Sequence, residues 1–154
     1  MYFYERAKYP EIKVSAVYPL AQACLESGNF ASGVFNKFNN CLGMKAPNKR
    51  PTTCTNKGQG GYANYDSVMD GIEDYVLFLK EWNLTTDQAL WEHLAAGKYA
   101  EDKQYPTKIS GLVASLKASD SYLDYPTVVT LATGGLLGLG AAGYVAYDKF
   151  LADK

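Results

Sequence analysis

The chain has 154 residues, of which 47% are hydrophobic and 20% charged, so its length and composition fit one folded domain. Its formal net charge is -1 and no basic run stands out, which excludes the electrostatic footprint of a nucleic-acid-binding protein. No cluster of histidines and cysteines has zinc-ligand spacing, and we expect neither a metal nor a cofactor. The 13 tyrosines suit either a surface that stacks on sugars or a polar rim around the core.

Two helices are predicted at the N-terminal end. Residues 5–17 carry a modest apolar pattern that predicts the first helix, whose better part begins at Pro10. Pro19 interrupts this pattern, and proline is tolerated at the first position of a helix. We therefore predict a second helix from Pro19 to Ser27, ended by Gly28.

The middle of the chain changes character before helices return. Residues 28–65 are rich in Asn, Gly, Thr and Lys and predict an irregular β-lobe, with short strands around 42–45 and 61–64. Three later helices are predicted: 68–79 capped by Asp66-Ser67, one from a Thr86 or Asp87 cap through Ala96, and 107–118. The fold class is therefore α+β and mainly α.

The C-terminal tail is apolar. Residues 127–147 carry no charge, and as a helix they would span roughly 30 Å, about the thickness of a bilayer core. Gly134, Gly138 and Ala142 have the spacing of packed membrane helices. We predict a domain over residues 1–120 and a tail over 121–154, whose apolar helix is a transmembrane or assembly segment. A buried terminal helix is the alternative.

The cysteines and the single histidine give no clear site. Cys24 lies in an apolar run and is expected to be a small buried residue. Cys41 and Cys54 could pair across a loop in an oxidising compartment or remain free thiols. His93 lies on a predicted helix and is expected at the surface or in packing.

Glu26 is the candidate catalytic residue. It is the one carboxylate at the end of an otherwise apolar helix, where the partial negative charge of the helix end and partial burial both raise a pKa. A carboxylic acid held in this way can protonate a glycosidic oxygen as the bond breaks. The alternative is an exposed glutamate at a helix end, which is common.

Four segments in order carry a family resemblance. Residues 21–28 read Ala-Gln-Ala-Cys-Leu-Glu-Ser-Gly, and residues 39–46 read Asn-Asn-Cys-Leu-Gly-Met-Lys-Ala. Together with the segments 65–79 and 98–109, they resemble the glucosaminidase family of peptidoglycan hydrolases (glycoside hydrolase family 73). The resemblance covers roughly residues 10–118 and implies a lysozyme-like domain.

The resemblance also implies roles for individual residues. Glu26 matches the catalytic glutamate, and Tyr105 and Tyr99 match tyrosines near the reacting sugar, of which we prefer Tyr105 for a part in catalysis. The expected substrate-binding residues are Phe30, Asn40, Gly43, Tyr62 and Tyr65.

Two departures from the family pattern matter. Phe30 stands near the place of a family tryptophan, and no Asp or Glu occurs between Gly43 and Tyr65, where the family often has a second acid. A two-carboxylate mechanism therefore lacks an obvious partner for Glu26. A water placed by neutral groups, the N-acetyl group of the substrate and a lytic transglycosylase route all stay open.

We therefore expect a glycosidase that cuts the β-1,4 bonds of the cell-wall glycan, of endo-N-acetylglucosaminidase or muramidase type. The alternative is a catalytically weak glycan-binding module or a structural component of a membrane-associated or virion assembly. Residues 1–8 do not have the pattern of a classical signal peptide. We expect the protein in a phage virion or in the bacterial cell envelope, with peptidoglycan strands as partner and membrane or virion subunits at residues 127–147.

Overall fold

A computed structural model describes residues 1–118 of the chain. The described part is mainly helical with a small sheet, as the sequence predicted. Its helices are α1 (Tyr2–Ala7), α2 (Val17–Ser27), α3 (Gly33–Phe38), α4 (Val68–Glu81), α5 (Asp87–Ala95) and α6 (Tyr105–Ala118), and its strands are β1 (Asn56–Lys57) and β2 (Ala63–Asn64).

The predicted C-terminal helix at 127–147 and the tail 121–154 lie outside the described residues. Among the helices of residues 1–118, none combines the length and the apolar character needed to cross a bilayer.

The core forms where α2 packs on α6, with α5 also against α6 and α1 against α4. Its fully buried side chains come from each of these helices except α1, and from residues 28–65, here called the polar lobe. The largest are Tyr75, Phe35, Leu79, Leu90, Leu94 and Ile109.

The prediction of one helix over residues 5–17 is wrong. Helix α1 ends at Ala7, and Pro10 keeps the chain out of the helix because proline disfavours helical backbone in the residue before it. The following segment is held by side chains of α1, since Tyr2 Oη and Arg6 Nη1 both donate to the Val14 carbonyl, at 3.1 and 2.7 Å.

Helix α2 begins at Val17, two residues earlier than predicted. Pro19 fits within the first turn because the N–H groups of that turn have no partner inside the helix. The predicted stop is confirmed, since Gly28 has φ +57° and ends α2 in the left-handed conformation. The short helix α3, which was not predicted, follows at once and begins with Ser32 accepting from Phe35 N.

The polar lobe holds a two-stranded antiparallel sheet in which Asn56 pairs with Asn64 and Lys57 with Ala63. The strand predicted around 61–64 is confirmed as β2, whereas the one predicted around 42–45 is reduced to a single bridge between Lys45 and Tyr62. Strand β1 was missed. Residues 40–44 form a turn instead of a strand because the Asn40 side chain bonds the backbone N–H and C=O of Met44.

The predicted helix caps are confirmed in α4 and α5. Ser67 accepts from Asp70 N at 3.2 Å, and Thr86 accepts from Ala89 N at 3.2 Å. Helix α6 begins at Tyr105, two residues before the predicted start. This difference brings Tyr105 into the helix that packs on α2.

We expect Ser67→Ala to lower the free energy of unfolding by about 1 kcal/mol, because it removes the acceptor for a free N–H in the first turn of α4. Urea unfolding measures the change. Ser110→Ala, at an exposed position inside α6, is the control and should change stability by less than about 0.5 kcal/mol. Equal losses in the two variants would contradict the capping role.

Candidate active site

Glu26 lies in the last turn of α2 and is half-buried. Burial raises the pKa of its carboxyl group above the ordinary value, and a hydrogen bond from Tyr105 lowers it in part. The partial negative charge at the C-terminal end of α2 also disfavours a negative charge there. Glu26 is therefore not the exposed helix-end glutamate that the sequence left as the alternative.

Gly43 lies directly against this carboxyl group. It has φ +63°, and a Cβ built at this position would lie 2.6 Å from Glu26 Oε2. This position needs a residue that adopts a left-handed backbone without strain and leaves room for the Glu26 carboxyl group. Only glycine does both. Gly43, one of the substrate-binding residues expected from the sequence, is thus in contact with Glu26.

Two side chains, Asn40 and Tyr99, hold the turn around Gly43 in place. Asn40 is 2% exposed, and its Nδ2 donates to the carbonyl groups of Met44 and Ala63, each at 2.9 Å. Tyr99 Oη donates to the Leu42 carbonyl at 2.7 Å. The buried Asn40 side chain therefore holds the turn in shape and offers no free group to a ligand.

Tyr105 joins the first residue of α6 to Glu26. Its side chain is buried, and its hydroxyl group lies beside the Glu26 carboxyl, where hydrogen bonding between the two groups lowers the pKa of the carboxyl and raises the pKa of the phenol. The same hydroxyl accepts from Gln22 Nε2 at 3.3 Å. The ring of Tyr99 stacks on that of Tyr105 with a centroid distance of 5.8 Å and an interplanar angle of 30°.

Gln22 was not singled out from the sequence. The signal that could have found it is its spacing, because residues four apart share one face of a helix and Gln22 precedes Glu26 by four. A glutamine with 0% exposure must find hydrogen-bond partners, which marks it as part of a buried polar network.

The prediction that Tyr65 binds substrate conflicts with its position. Tyr65 is 2% exposed, and its hydroxyl donates to Asp74 Oδ2 at 2.7 Å. Asp74 is fully buried and also accepts both Arg50 Nη1 and Nη2 at 2.7 Å. The bonds from Arg50 and Tyr65 to Asp74 anchor the polar lobe to α4. They are needed because a buried carboxylate requires an opposite charge and hydrogen-bond donors.

Phe30 and Tyr62 are partly buried, and their described contacts are with residues other than Glu26. Phe30 has φ +66° and packs edge-to-face on Phe35 at 5.6 Å between centroids. Tyr62 lies under Lys45, whose Nζ is 3.5 Å from the ring centroid. Their predicted sugar contacts stay predictions.

The cysteines and His93 form no further site in the described residues. All three cysteines are free, Cys24 is half-buried instead of buried, and burial raises the pKa of the Cys41 thiol to about 11. His93 is a packing residue, in edge contact with the rings of Phe78 and Trp82. Within residues 1–118, no group of three acidic, histidine or cysteine side chains could hold a metal ion.

A cavity of about 210 Å³ lies at the other end of the α2–α6 pair. Its nearest α2 residue, Tyr18, precedes Glu26 by eight positions, which corresponds to roughly 12 Å along the helix. No predicted site residue lines this cavity, whose walls are formed by Tyr18, Asp87, Gln88, Trp91, Ser110 and Val113.

Comparison with known proteins identifies the family of the chain. The sequence model of the family described as "Glucosaminidase: Mannosyl-glycoprotein endo-beta-N-acetylglucosaminidase" matches residues 4–118. No curated protein and no solved structure shows significant similarity to the chain. Because the family match spans well over half of the 154 residues, the chain belongs to the glucosaminidase family, as a glucosaminidase-type peptidoglycan hydrolase.

Proposed function

We propose that the protein cleaves the β-1,4 glycosidic bonds of peptidoglycan with Glu26 as general acid. Family membership supports glycosidase activity on cell-wall glycan. The observation that carries the role of Glu26 is its half-buried carboxyl group with a raised pKa, hydrogen-bonded to Tyr105 and in contact with the Gly43 turn. A general acid needs this combination of a retained proton and a fixed position.

The proposed chemistry is a proton transfer coupled to bond cleavage. Glu26 gives its proton to the glycosidic oxygen as the bond from that oxygen to the anomeric carbon breaks, and the released sugar keeps the proton as a hydroxyl group. Glu26 is left as a carboxylate. The Tyr105 hydroxyl stabilises this carboxylate by donating to it, which lowers the cost of creating a charge in a half-buried position.

Tyr105 and Tyr99 have different roles in this proposal. Tyr105 bonds the reacting carboxyl group, so we assign it the catalytic role that the sequence favoured. The Tyr99 hydroxyl group donates its proton in a hydrogen bond to the Leu42 carbonyl. We therefore propose that Tyr99 positions the Gly43 turn and the ring of Tyr105, without transferring a proton itself.

A second carboxylate is missing from the surroundings of Glu26 in residues 1–118. The buried acid of α4, Asp74, is fully engaged by Arg50 and Tyr65. The group that completes the reaction on the opposite side of the sugar is then a water held by neutral groups, the substrate's N-acetyl oxygen, or a substrate hydroxyl as in transglycosylation.

Digestion of purified peptidoglycan sacculi tests the function and the route together. We expect release of muropeptides, and mass spectrometry of the reducing ends identifies the bond that is cut. N-acetylglucosamine ends indicate a glucosaminidase, N-acetylmuramic acid ends indicate a muramidase, and anhydro ends indicate transglycosylation. Intact sacculi after incubation over pH 4–9 would contradict the proposal.

The missing second acid also supports a second candidate, a glycan-binding module without turnover. Co-sedimentation with sacculi that leaves the glycan length unchanged is the result that this candidate requires. Any release of muropeptides that depends on Glu26 would exclude it.

The location of the protein stays a prediction from the apolar residues 127–147. We propose that these residues attach the hydrolase to a membrane or to subunits of a phage particle. Mass spectrometry of purified particles and of host envelopes distinguishes the two locations, and a chain that ends at Tyr125 with unchanged membrane association would exclude a role for the tail.

A further inference from the structure

A buried amide lies between two phenols behind Glu26. The hydroxyl group of Tyr75 donates to Gln22 Oε1, and Gln22 Nε2 donates to the hydroxyl oxygen of Tyr105 at 3.3 Å. Gln22 and Tyr75 are both 0% exposed, and Tyr105 is 4% exposed. These three side chains come from α2, α4 and α6, so the network joins three helices.

We propose that Gln22 and Tyr75 are positioning residues that turn the proton of the Tyr105 hydroxyl toward the Glu26 carboxyl. The inference rests on the proposed function of Glu26 and extends it to two residues that touch neither the substrate nor the reacting atoms.

The direction of each bond follows from the number of protons available. The Tyr75 hydroxyl has one proton, which it gives to Gln22 Oε1, and this bond sets which end of the amide faces Tyr105. The end that faces Tyr105 is the NH₂ group, which can only donate. The Tyr105 oxygen therefore accepts from Gln22, and its own proton stays available for Glu26.

The opposite orientation of the Gln22 amide would reverse the direction of the hydrogen bond between Gln22 and Tyr105. If Oε1 faced Tyr105, the tyrosine would give its proton to Gln22 and present its lone pairs to Glu26. Glu26 would then have to keep its proton to make the bond, so the carboxylate formed during the reaction would lose its donor. Tyr75 prevents this arrangement because its buried proton needs the acceptor that Gln22 Oε1 supplies.

The titratable groups that face Glu26 within residues 1–118 are two phenols. Tyr105 comes from α6 and Tyr99 from the segment before it, and each is influenced by the charge of Glu26. The Gly43 turn adds no titratable side chain of its own at the point of contact. A change in the direction of the Tyr105 bond should therefore be visible in the titration of Glu26.

Tyr75→Phe tests the proposal, because it keeps the ring in the core and removes only the hydroxyl that fixes the amide. Carboxyl ¹³C NMR follows the Glu26 titration in the full chain, with Glu26→Gln to assign the signal. We expect the pKa of Glu26 to rise by about one unit in Tyr75→Phe. This measurement needs no turnover, so it separates a failure of the proposal from a failure of the proposed function, which the sacculus digest reports.

Two further variants identify the cause of the shift. Tyr2→Phe removes a hydroxyl that donates to the Val14 carbonyl close to Tyr75, and we expect it to leave the Glu26 titration unchanged. Gln22→Met combined with Tyr75→Phe removes the amide that could rotate, so Tyr105 donates to Glu26 again and the pKa returns toward the wild-type value. An unchanged Glu26 titration in folded Tyr75→Phe, or a shift that persists in the double variant, would overturn the proposal.

Discussion

Glu26→Gln is expected to reduce the release of muropeptides from sacculi by about a hundredfold to ten-thousandfold, the range that a general acid contributes. Glutamine fills the same space and can still accept from Tyr105, but it has no proton to give to a glycosidic oxygen. The measurement is the initial rate of muropeptide release at a fixed protein concentration, followed by mass spectrometry or by the loss of sacculus turbidity.

Glu81→Gln is the matched control for this variant. Glu81 is the last residue of α4 and is exposed, so it is the ordinary helix-end glutamate that Glu26 could have been. We expect Glu81→Gln to keep the wild-type rate. Equal rates in wild type and Glu26→Gln would remove Glu26 from the mechanism even if the protein cuts peptidoglycan.

The pH dependence of stability gives an independent check on the raised pKa of Glu26. The folded pKa lies above the unfolded value of about 4.5, so folding is favoured while the group is protonated, and this contribution is lost as the pH rises through the folded pKa. Glu26→Gln stays neutral throughout. We expect the variant to unfold at a higher temperature than wild type at pH 8 and at nearly the same temperature below pH 4.5.

Gly43→Ala is expected to lower the rate of muropeptide release by about a hundredfold, since a displacement of a catalytic group by about 1 Å can have an effect of this size. The new methyl group would lie 2.6 Å from Glu26 Oε2, so the carboxyl group must move. The carboxyl is the end of a flexible side chain, and its movement costs little in stability. The loss of stability should come from the left-handed backbone and amount to about 1 kcal/mol.

Gly97→Ala is the control that separates the effect of the left-handed backbone from the effect of the contact with Glu26. Gly97 has φ +67°, almost the value of Gly43, and a Cβ there meets no atom within 4 Å. We expect both variants to lose similar stability in urea unfolding, with only Gly43→Ala losing the activity. If Gly97→Ala lost as much activity as Gly43→Ala, the effect would come from stability and not from the contact with Glu26.

Features that depend on neighbours in the chain were predictable from the sequence. The end of α2 at Gly28 and the caps Ser67 and Thr86 follow from the backbone preferences of glycine and the short side chains of serine and threonine. The residues of segment 21–28 were likewise enough to predict that Glu26 lies at a helix end. The error at residues 5–17 has a local cause as well, because Pro10 was taken as the start of a helix that ends before it.

By itself, the sequence determined the family and the end of α2, because motifs and caps act over a few residues, and it predicted Glu26 as the acid. Only the tertiary structure decided what surrounds that acid. Tyr105 is 83 residues from Gln22 in the chain and Tyr75 is 53 residues from it, yet their polar groups meet behind Glu26. Which buried donor meets which acceptor depends on how α2, α4 and α6 pack, and no local pattern encodes that choice.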